Sequence, residues 1–433
     1  MDVVIVGAGL AGLMCAKTLR DLAPDIRVLV VEARSTIGGR VSTNETFSAH
    51  QPVEMGAELI HGTTTVLNSL VNDTVPVFTW AHGDGGPHPT HLVQGGGGYY
   101  YLGAEGRLLR FDSQDPDFLQ LNEVLQNLPS SDTSMWEYVK SHVPDRMQGL
   151  AEAGYANTLC SELRLLPLRQ VATVMDGFRG DGETELRCPR GYTSLLARLR
   201  RDVEVWTDWP VAHVHWGQGA KGVTLVSDHG ERIHAKRVVL TPSVAVMKQQ
   251  LIRFDPPLSE HRMRIYRAIR MEPCLKLALR FRKRVWPVDF HGMICADCPI
   301  PEFWTITPPT DTTDFILIGF ATSTFATTLG KLSRQELKDT ALAQLDQIFG
   351  HATEVYVDMV VQDWTRERYV QGGYSSPSLH VTTEDREYIG SSIQRTLYFA
   401  GEATCPTRYM VMHAAMESGV RVAHEIMMPT SKL

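Results

Sequence analysis

Hydrophobic and polar positions divide the start of the chain into three elements. Residues 3–6 are a short run of β-branched apolar residues, which predicts a buried strand. Apolar residues then recur at helical spacing over residues 13–22, and the pattern stops at Pro24, which predicts a helix. A second apolar run at residues 28–31 predicts another strand, ending at Glu32. The opening therefore predicts a strand, turn, helix, turn and strand in succession.

The rest of the chain alternates between helical and strand patterns. Residues 115–200 are rich in leucine at helical spacing, and residues 222–243 alternate as strands do. A mixed segment follows at residues 258–350, residues 397–404 predict a strand that meets a glycine turn, and residues 413–427 predict a helix. Signals for nucleotide-binding βα units thus stand at both ends with a different region between. This order predicts an α/β protein with interleaved domains.

A lysine interrupts an apolar strand pattern at residues 275–281. Leucine and phenylalanine alternate there with Lys276, an alanine and an arginine, the pattern of a strand with one dry and one wet face. Pattern alone therefore predicts a solvated Lys276.

The first turn carries chemistry. Gly7, Gly9 and Gly12 form a G-x-G-x-x-G that follows a strand and opens a helix, with Glu32 twenty residues further on. Gly7 permits the turn, Gly9 lets the backbone approach a pyrophosphate, and Gly12 lets the helix pack on the strand. The helix N-terminus attracts the anion, and the acid can hold a ribose. The motif predicts a bound dinucleotide and leaves open whether it is FAD or NAD.

Composition narrows the class of protein. The chain has 433 residues, 43% of them hydrophobic, which suffices for a large core. Its net charge of −7 and the absence of a basic block argue against nucleic acid as a partner. No apolar run is long enough to cross a bilayer, and no signal peptide is predicted before the first strand.

Cysteine usage fits a reducing compartment. The seven cysteines are an odd number scattered through the chain, and Cys295 and Cys298 are the one close pair. Because no second pair or histidines stand at metal-ligand spacing, we expect free thiols and no metal site. Ser431, Lys432 and Leu433 match a peroxisomal address read by the import receptor, so we expect a peroxisomal protein.

Several segments, in order, resemble the flavin-containing amine oxidases, the family of monoamine and polyamine oxidases. They are the glycine motif with Glu32, "IGGR" (37–40), "EMGAELIHG" (54–62), "LTPSVAVMK" (240–248), "FDPPL" (254–258), the strand around Lys276, "DWTRERYVQGGYS" (363–375), "FAGEAT" (399–404) and "HAAMESGVRVA" (413–423). The resemblance covers nearly the whole chain and implies that the dinucleotide is FAD.

The resemblance also implies which residues contact FAD. Arg40 offers its guanidinium to the pyrophosphate, Val211 meets the adenine side, Trp364 lies near the isoalloxazine, and Glu402 accepts from ribitol hydroxyls. The full expected set is Gly7, Gly9, Gly12, Glu32, Arg34, Gly39, Arg40, Gly56, Ala57, Glu58, Val211, Trp364, Gly401, Glu402 and Met412.

The expected architecture is a Rossmann-like FAD-binding domain interleaved with an α+β substrate-binding domain, a mixed sheet flanked by helices. We assign residues 1–75, 195–257 and 355–433 to the first domain, and residues 76–194 and 258–354 to the second.

The same resemblance implies three catalytic residues. Lys276 corresponds to a lysine that reaches flavin N5 through a water, where a cation stabilises the reduced flavin and helps its reoxidation. Tyr374 corresponds to one wall of an aromatic cage that suits an amine, and the second wall falls at Val411. His61 corresponds to a histidine at the active-site mouth that binds a substrate amino group or sets its protonation.

Departures from the family pattern refine these expectations. Gly373 stands where covalent monoamine oxidases carry the flavin-binding cysteine, so the FAD should be non-covalent. Glu58 replaces the usual asparagine and adds a carboxylate near His61, which favours a cationic substrate. The "MVMHAA" segment is altered, although His413 is retained.

The resulting expectation is an enzyme that oxidises an amine C–N bond with O₂, giving an aldehyde and H₂O₂. Polyamines or acetylpolyamines lead as substrates, and a primary monoamine oxidase with non-covalent FAD is the alternative. An L-amino acid oxidase needs an arginine for the substrate carboxylate, and no lysine or arginine stands between Arg40 and Arg107. A non-catalytic FAD-binding scaffold is a further alternative, against which the retained Lys276 and Tyr374 argue.

Overall fold

The computed structural model describes the chain except for residues 72–73, 84–85, 92–97, 104–105, 183, 218–221, 307–313 and 429–433. The proposed import signal at Ser431, Lys432 and Leu433 lies outside the described residues.

A five-stranded parallel sheet forms one half of the molecule. Its strands, in spatial order, are Glu204–Trp206, Val28–Val31, Val3–Val6, Arg237–Leu240 and Leu397–Phe399. The predicted opening unit is confirmed, with the helix Leu10–Leu22 between the first two strands in sequence. Buried parallel strands read as continuous apolar runs, which is why the patterns at residues 3–6 and 28–31 could be recognised.

The two ends of the chain meet on this sheet. The closing helix, Met412–Met427, packs against Leu10–Leu22, as the interleaved arrangement predicted. The contact is close because of a glycine: a Cβ at Gly419 would lie 2.3 Å from the carbonyl oxygen of Ala11. Early and late segments therefore build one structural unit.

A seven-stranded mixed sheet forms the other half. Its strands, in spatial order, are Tyr356–Asp363, Cys274–Phe281, Phe315–Thr322, Glu302–Ile306, Phe290–Cys295, Gly98–Leu102 and Leu108–Arg110. All neighbours are antiparallel except Phe290–Cys295 and Gly98–Leu102, which are parallel. This sheet confirms the predicted mixed sheet.

One strand crosses the expected domain boundary. Tyr356–Asp363, placed by the sequence in the FAD-binding segment 355–433, pairs with Cys274–Phe281 of the seven-stranded sheet. Likewise, Leu59–His61 pairs with Thr184–Arg187, although the two were assigned to different domains. The domain boundaries stay a prediction.

Smaller sheets and helices complete the molecule. Two four-stranded sheets have the orders Leu59–His61, Thr184–Arg187, Val75–Gly83, Gly86–His91 and Arg232–Ala235, Val223–Ser227, Val211–His215, Arg253–Asp255. Two-stranded pairs are Thr43–Asn44 with Val53–Glu54 and Arg270–Met271 with Ser375–Ser376.

The leucine-rich region is helical, as predicted. It contains Pro116–Gln126, Met135–His142, Asp145–Leu150, the π-helix Ala151–Ala156, the 3₁₀ turn Leu163–Leu165, Leu168–Arg179 and Thr193–Arg200. The remaining helices are Val244–Lys248, Glu260–Ala268, Ser323–Leu329, Arg334–Phe349, Ala352–Val355, Thr383–Gly390 and the 3₁₀ turn Glu402–Thr404. In the described part of the chain, every helix is too short or too polar to cross a membrane.

Candidate active site

A cavity of about 1100 Å³ is lined by residues from both large sheets. Its volume exceeds the roughly 300–1,000 Å³ of ordinary small-molecule sites, which leaves room for a dinucleotide together with a substrate. Every predicted site residue except Gly12 lines it, from the glycine turn through His61 and Lys276 to Tyr374 and Glu402. The sequence therefore identified residues that the fold brings together, and their individual roles stay predictions.

In the glycine turn, packing within the protein requires a glycine at two of the three motif positions but not at the third. Gly7 has a φ of +105°, and a Cβ at Gly12 would lie 2.0 Å from the Gly7 carbonyl oxygen, so close packing of turn and helix requires both. Gly9 has an ordinary φ of −76°, and a Cβ there would meet only the Cα of Gly39, at 3.8 Å. Protein packing does not require a glycine at this position, whereas a phosphate group approaching the backbone would.

The helix behind this turn presents free donors. Leu10–Leu22 has Gly9 as its N-cap, and no side chain caps its first amide groups. These N–H groups, the helix dipole and the open space at Gly9 together fit the pyrophosphate of FAD.

Glu32 is fixed at the end of its strand. Its Oε2 accepts from the Ala8 amide at 2.7 Å, and its Oε1 accepts from the Arg34 amide at 3.0 Å. Arg34 in turn donates from Nη2 to the Gly39 carbonyl at 2.7 Å. The carboxylate therefore has a defined position beside the glycine turn, suited to a ribose.

Arg40 and Glu402 join three distant segments. Arg40 Nη1 donates to Glu402 Oε1 at 2.9 Å and to the Gly373 carbonyl at 3.0 Å. Glu402 Oε2 accepts from Ser375 Oγ at 2.6 Å. Burial would raise the pKa of Glu402, but the Arg40 charge and these hydrogen bonds lower it overall, so the carboxylate stays ionised.

Trp364 forms a flat face in the cavity. Its Nε1 donates to the Met55 carbonyl at 3.0 Å, which fixes the ring. A Cβ at Gly56 would lie 3.1 Å from the ring edge, so the indole packs directly on glycine backbone. This arrangement fits a planar isoalloxazine neighbour.

Lys276 is buried, so its solvated interpretation was wrong. The side chain is 3% exposed, and its Nζ donates to Glu58 Oε2 at 2.7 Å and to the Gly56 carbonyl at 3.1 Å. Nζ also lies 5.1 Å from the centre of the Trp304 ring. The alternation in this strand failed to indicate exposure because both faces of the strand are covered, one by core and one by the cavity.

Glu58 has more partners than the sequence indicated. Arg187 Nε lies 2.8 Å from Glu58 Oε1, and Trp304 Nε1 donates to the same oxygen at 3.0 Å. Burial would raise the pKa of Glu58, but the charges of Lys276 and Arg187 lower it overall. Two cations of the chain itself thus neutralise this carboxylate, rather than an incoming substrate.

Arg187 and Trp304 were missed because no local pattern marks them. Arg187 pairs with Leu59 across neighbouring strands, and Trp304 stands on the seven-stranded sheet. The signal available in the sequence was the acid at position 58, in a segment expected to contact FAD, since a carboxylate that is buried requires partners. Arg187 lies outside the stretch between Arg40 and Arg107 that contains no lysine or arginine. Its guanidinium lines the cavity, where it is paired with the Glu58 carboxylate.

His61 lines the cavity beside two acids. Its Nδ1 lies 2.7 Å from Glu185 Oε2, and its ring stacks on Phe178 with centroids 5.9 Å apart. Burial would lower the pKa of His61, but Glu185 and Asp181 raise it overall. The imidazole is therefore biased towards its charged form.

His413 lies behind this histidine. Its Nε2 is 3.1 Å from Asp181 Oδ2, and Arg408 also contacts Asp181. Burial lowers the pKa of His413 to about 4, against the opposing effect of Asp181. His413 is absent from the cavity lining, which indicates a supporting position.

Tyr374 forms one aromatic wall. Its hydroxyl donates to the Thr158 carbonyl at 2.6 Å, and burial raises its pKa well above the ordinary value. Val411, the expected second wall, also lines the cavity and is apolar but not aromatic. The wall opposite Tyr374 is therefore aliphatic at Val411.

Glu302 is a lining residue that sequence reasoning missed. Lys276 and Glu302 both stand opposite Phe320 in the sheet, so the three form a row across adjacent strands. Asn157 Nδ2 donates to Glu302 Oε2 at 3.3 Å. Burial raises the pKa of Glu302 to about 7, although the Asn157 hydrogen bond and Lys276 oppose this. An alternating strand gives no indication of which face a cavity will cover.

None of the seven cysteines forms a disulfide, as expected, and Cys298 and Cys405 are the two that are only partly buried. Within the described ranges, no group of three His, Cys, Asp or Glu could hold a metal ion.

Comparisons with known proteins identify the class. The profile of the flavin containing amine oxidoreductases matches residues 10–427, so the protein belongs to this family. It is a flavin-dependent amine oxidoreductase, as predicted.

Similar curated proteins include two polyamine oxidases and a demethylase. Polyamine oxidase 2 of Arabidopsis thaliana is 24% identical, over 99% of this chain and 88% of that protein. The peroxisomal N(1)-acetyl-spermine/spermidine oxidase of Bos taurus is 25% identical, over 98% and 94%. Lysine-specific histone demethylase 1B of Mus musculus is 23% identical over 98% of this chain, which spans only 52% of the demethylase.

Solved structures show the fold. A double mutant of putrescine oxidase superimposes with a TM-score of 0.81 at 20% identity, over 98% of both chains. Cyclohexylamine oxidase from Brevibacterium oxydans IH-35A gives a TM-score of 0.80 at 21% identity, also over 98% of both. These similarities confirm the predicted fold class.

Proposed function

We propose that this protein oxidises diamines or polyamines, including acetylated ones, with non-covalently bound FAD and O₂ as electron acceptor. The proposal rests on the charges of the cavity lining, which differ between two parts of the cavity. One part offers the glycine turn, Arg34 and Arg40 to phosphates, and another offers the carboxylates of Glu185 and Glu302. A single cavity thus suits an anionic dinucleotide and a cationic amine.

The residues of the chain position and polarise the reaction. The chemistry that FAD supplies when bound is acceptance of a hydride from the amine α-carbon at N5, followed by transfer of the electrons to O₂ to give H₂O₂. Lys276, held by Glu58, provides a fixed positive charge for that acceptance. Tyr374 shapes a dry slot for the amine, and the pair of His61 and Glu185 binds an amino group through the Glu185 carboxylate. The oxidised amine then hydrolyses to an aldehyde.

Non-covalent cofactor binding rests on the surroundings of Gly373. A Cβ at this position would lie 2.8 Å from Cys274 Cβ and 3.0 Å from Cys160 Sγ, so a cysteine would not fit without displacing both. Acid precipitation of the yellow protein is expected to leave all flavin in the supernatant. Flavin retained in the pellet would contradict this part of the proposal.

A primary monoamine oxidase is the second candidate. Phe320, Ile294 and Val411 give the cavity apolar surface that suits an uncharged substrate tail, and cyclohexylamine oxidase is among the structural relatives. An L-amino acid oxidase has less support, because the Arg187 guanidinium that could bind a carboxylate is paired with Glu58. A non-catalytic scaffold would show a flavin that no amine or amino acid reduces.

Peroxisomal localisation is also proposed. It is supported by the tripeptide at residues 431–433, an import signal where it forms a free carboxyl terminus, and by the peroxisomal relative from Bos taurus. A fluorescent protein fused ahead of residue 1 should enter peroxisomes. Removal of the tripeptide from that fusion should leave it outside.

Substrate class is tested by H₂O₂ release with four compounds in parallel: N1-acetylspermine, spermine, a primary arylalkylamine and an L-amino acid. We expect turnover mainly of the first two. Turnover of the arylalkylamine alone would assign the protein to the monoamine oxidases.

A further inference from the structure

The carboxylate of Glu302 differs from that of Glu58 in its partners. It stands in the strand Glu302–Ile306 and lines the cavity, with Asn157 Nδ2 as a donor to Oε2 at 3.3 Å. Among the described residues no ion pair to Glu302 is found within 4.0 Å, whereas Glu58 on the same cavity has two. A carboxylate with four acceptor positions thus retains capacity for another donor.

The sheet register relates Glu302 to Lys276. Both residues stand opposite Phe320, on its two neighbouring strands, and side chains at directly opposed positions share one face of a sheet. Strands are spaced about 4.7–4.9 Å apart, so the backbones at Lys276 and Glu302 are separated by roughly 10 Å. The acid is therefore displaced sideways from the residue expected to act on the flavin.

We propose that Glu302 is the receptor for the second ammonium group of a diamine or polyamine whose first amino group is oxidised beside Lys276. The inference rests on the proposed function and assigns its substrate class to one residue. Phe320 and Ile294, which flank Glu302 in the same row across the sheet, provide apolar surface for the methylene chain between the two nitrogens.

Charge supports this assignment. The carboxyl group has a pKa of about 7 because burial penalises its ionised form, so an ammonium ion placed beside it would stabilise that form. The titratable groups that interact electrostatically with Glu302 are Lys276, Tyr99, Tyr374 and Cys295. Lys276 is held by Glu58; burial raises the pKa of Tyr99 and Tyr374, and a hydrogen bond with Cys298 together with burial raises the pKa of Cys295, so these three groups remain neutral near pH 7. Glu302 is then the anion available in this row.

Two substrates of equal length isolate the second ammonium. Putrescine and n-butylamine have the same carbon chain and differ by one amino group. With Glu302→Gln holoenzyme, kcat/KM for putrescine is expected to fall about a hundredfold, the scale for losing one partner of a buried charge pair. The value for n-butylamine should change less than about threefold, because uniform damage to the site would lower both. An equal fall for both amines, or no fall for putrescine, would overturn the assignment.

Two further variants exclude indirect effects. Glu302→Asp keeps the charge and withdraws it by one methylene, so the preference should move from putrescine towards cadaverine. Asp358→Asn removes a carboxylate that is 53% exposed on the same sheet and does not line the cavity, and it should leave both rates unchanged. If Glu302→Asp lowers the rates with both diamines equally, charge position is not what Glu302 supplies.

A binding measurement separates this inference from the proposed function. The compound α,α,α′,α′-tetramethylputrescine has no hydrogen at either α-carbon and cannot be oxidised, so its binding is independent of catalysis. It should raise the thermal unfolding midpoint of the wild-type holoenzyme and not that of Glu302→Gln. Equal shifts in both proteins would overturn the role of Glu302 even where amines are oxidised. A shift confined to the wild type, without oxidation of any amine, would contradict the proposed function alone.

Discussion

The glycine turn and the seven-stranded sheet line the same cavity but encode it differently. The turn places Gly7, Gly9 and Glu32 within one contiguous segment, so sequence spacing specifies their arrangement. At the sheet, Lys276 meets Glu58 from a loop, and Glu58 in turn meets Arg187 from a four-stranded sheet, so the cluster comes from three separate segments. Steric fit dominates the first region and charge balance the second, and the two should respond differently to substitution.

The largest effect is expected from Glu58→Gln. The substitution leaves Lys276 and Arg187 as neighbouring buried cations without their shared anion, at a cost of about 3–5 kcal/mol in unfolding free energy. Urea unfolding measures it, and Asp358→Asn, an exposed site, should stay within about 0.5 kcal/mol of wild type. A loss no greater than that of the control would show that charge balance does not stabilise this region.

The stability that this cluster contributes should depend on pH in a defined direction. The pKa of Glu58 is lowered in the fold, so its ionised form contributes stability above the ordinary carboxyl pKa, and this is lost as pH falls through the folded value. The gap in stability between wild type and Glu58→Gln should therefore narrow on acidification. A constant gap from pH 7 downwards would contradict the ion-pair interpretation.

Lys276→Met and Arg187→Met form a matched pair. Each removes one of the two cations on Glu58 and leaves a neutral ion pair, so their stabilities should be similar. Only Lys276 is proposed to act on the flavin, so its loss should slow flavin reduction or reoxidation about 10²–10³-fold, as for other preorganised charges. Anaerobic and oxygen stopped-flow measurements separate the two half-reactions. Equal rate losses in the two variants would assign the effect to the cluster as a whole.

Gly12→Ala and Gly9→Ala test the turn. A Cβ at Gly12 would lie 2.0 Å from a carbonyl oxygen, so Gly12→Ala should lower the unfolding free energy by about 1–3 kcal/mol. Gly9→Ala meets nothing closer than 3.8 Å and should leave the flavin-free protein within about 0.5 kcal/mol of wild type. Its flavin affinity should nevertheless fall, because the methyl group occupies space proposed for the pyrophosphate. Unchanged flavin affinity in Gly9→Ala would contradict that assignment.

The difference between the glycine turn and the charged cluster around Glu58 explains which parts of the site the sequence could predict. The strand Val3–Val6, the helix Leu10–Leu22 and the residues around Gly9 follow from local patterns, since glycine geometry and helix periodicity act over short distances. Lys276 was correctly placed in a strand, but its burial depends on a cavity that no single strand encodes. Arg187 could not be found because its strand pairs with a strand far back in the chain, and Glu302 because its position beside Lys276 depends on the order of strands in the sheet.

The smallest effect is a difference in pH dependence between wild type and Glu302→Gln. The pKa of Glu302 rises from 4.5 to about 7 on folding, so the folded state binds more protons than the unfolded state between these values. Stability contributed by this group is therefore present at low pH and lost as pH rises towards 7, opposite in sign to Glu58. Glu54, whose pKa is also raised to about 7 by burial, titrates in both proteins and cancels in the comparison.

Relative to wild type, Glu302→Gln should thus gain stability from pH 5 to pH 8 in urea unfolding without substrate. The gain should shrink when α,α,α′,α′-tetramethylputrescine is present, because an ammonium ion bound at Glu302 would stabilise the wild-type carboxylate in the fold. If the difference is independent of pH, the protonation of Glu302 does not change between pH 5 and pH 8, which would contradict the raised pKa on which this prediction rests.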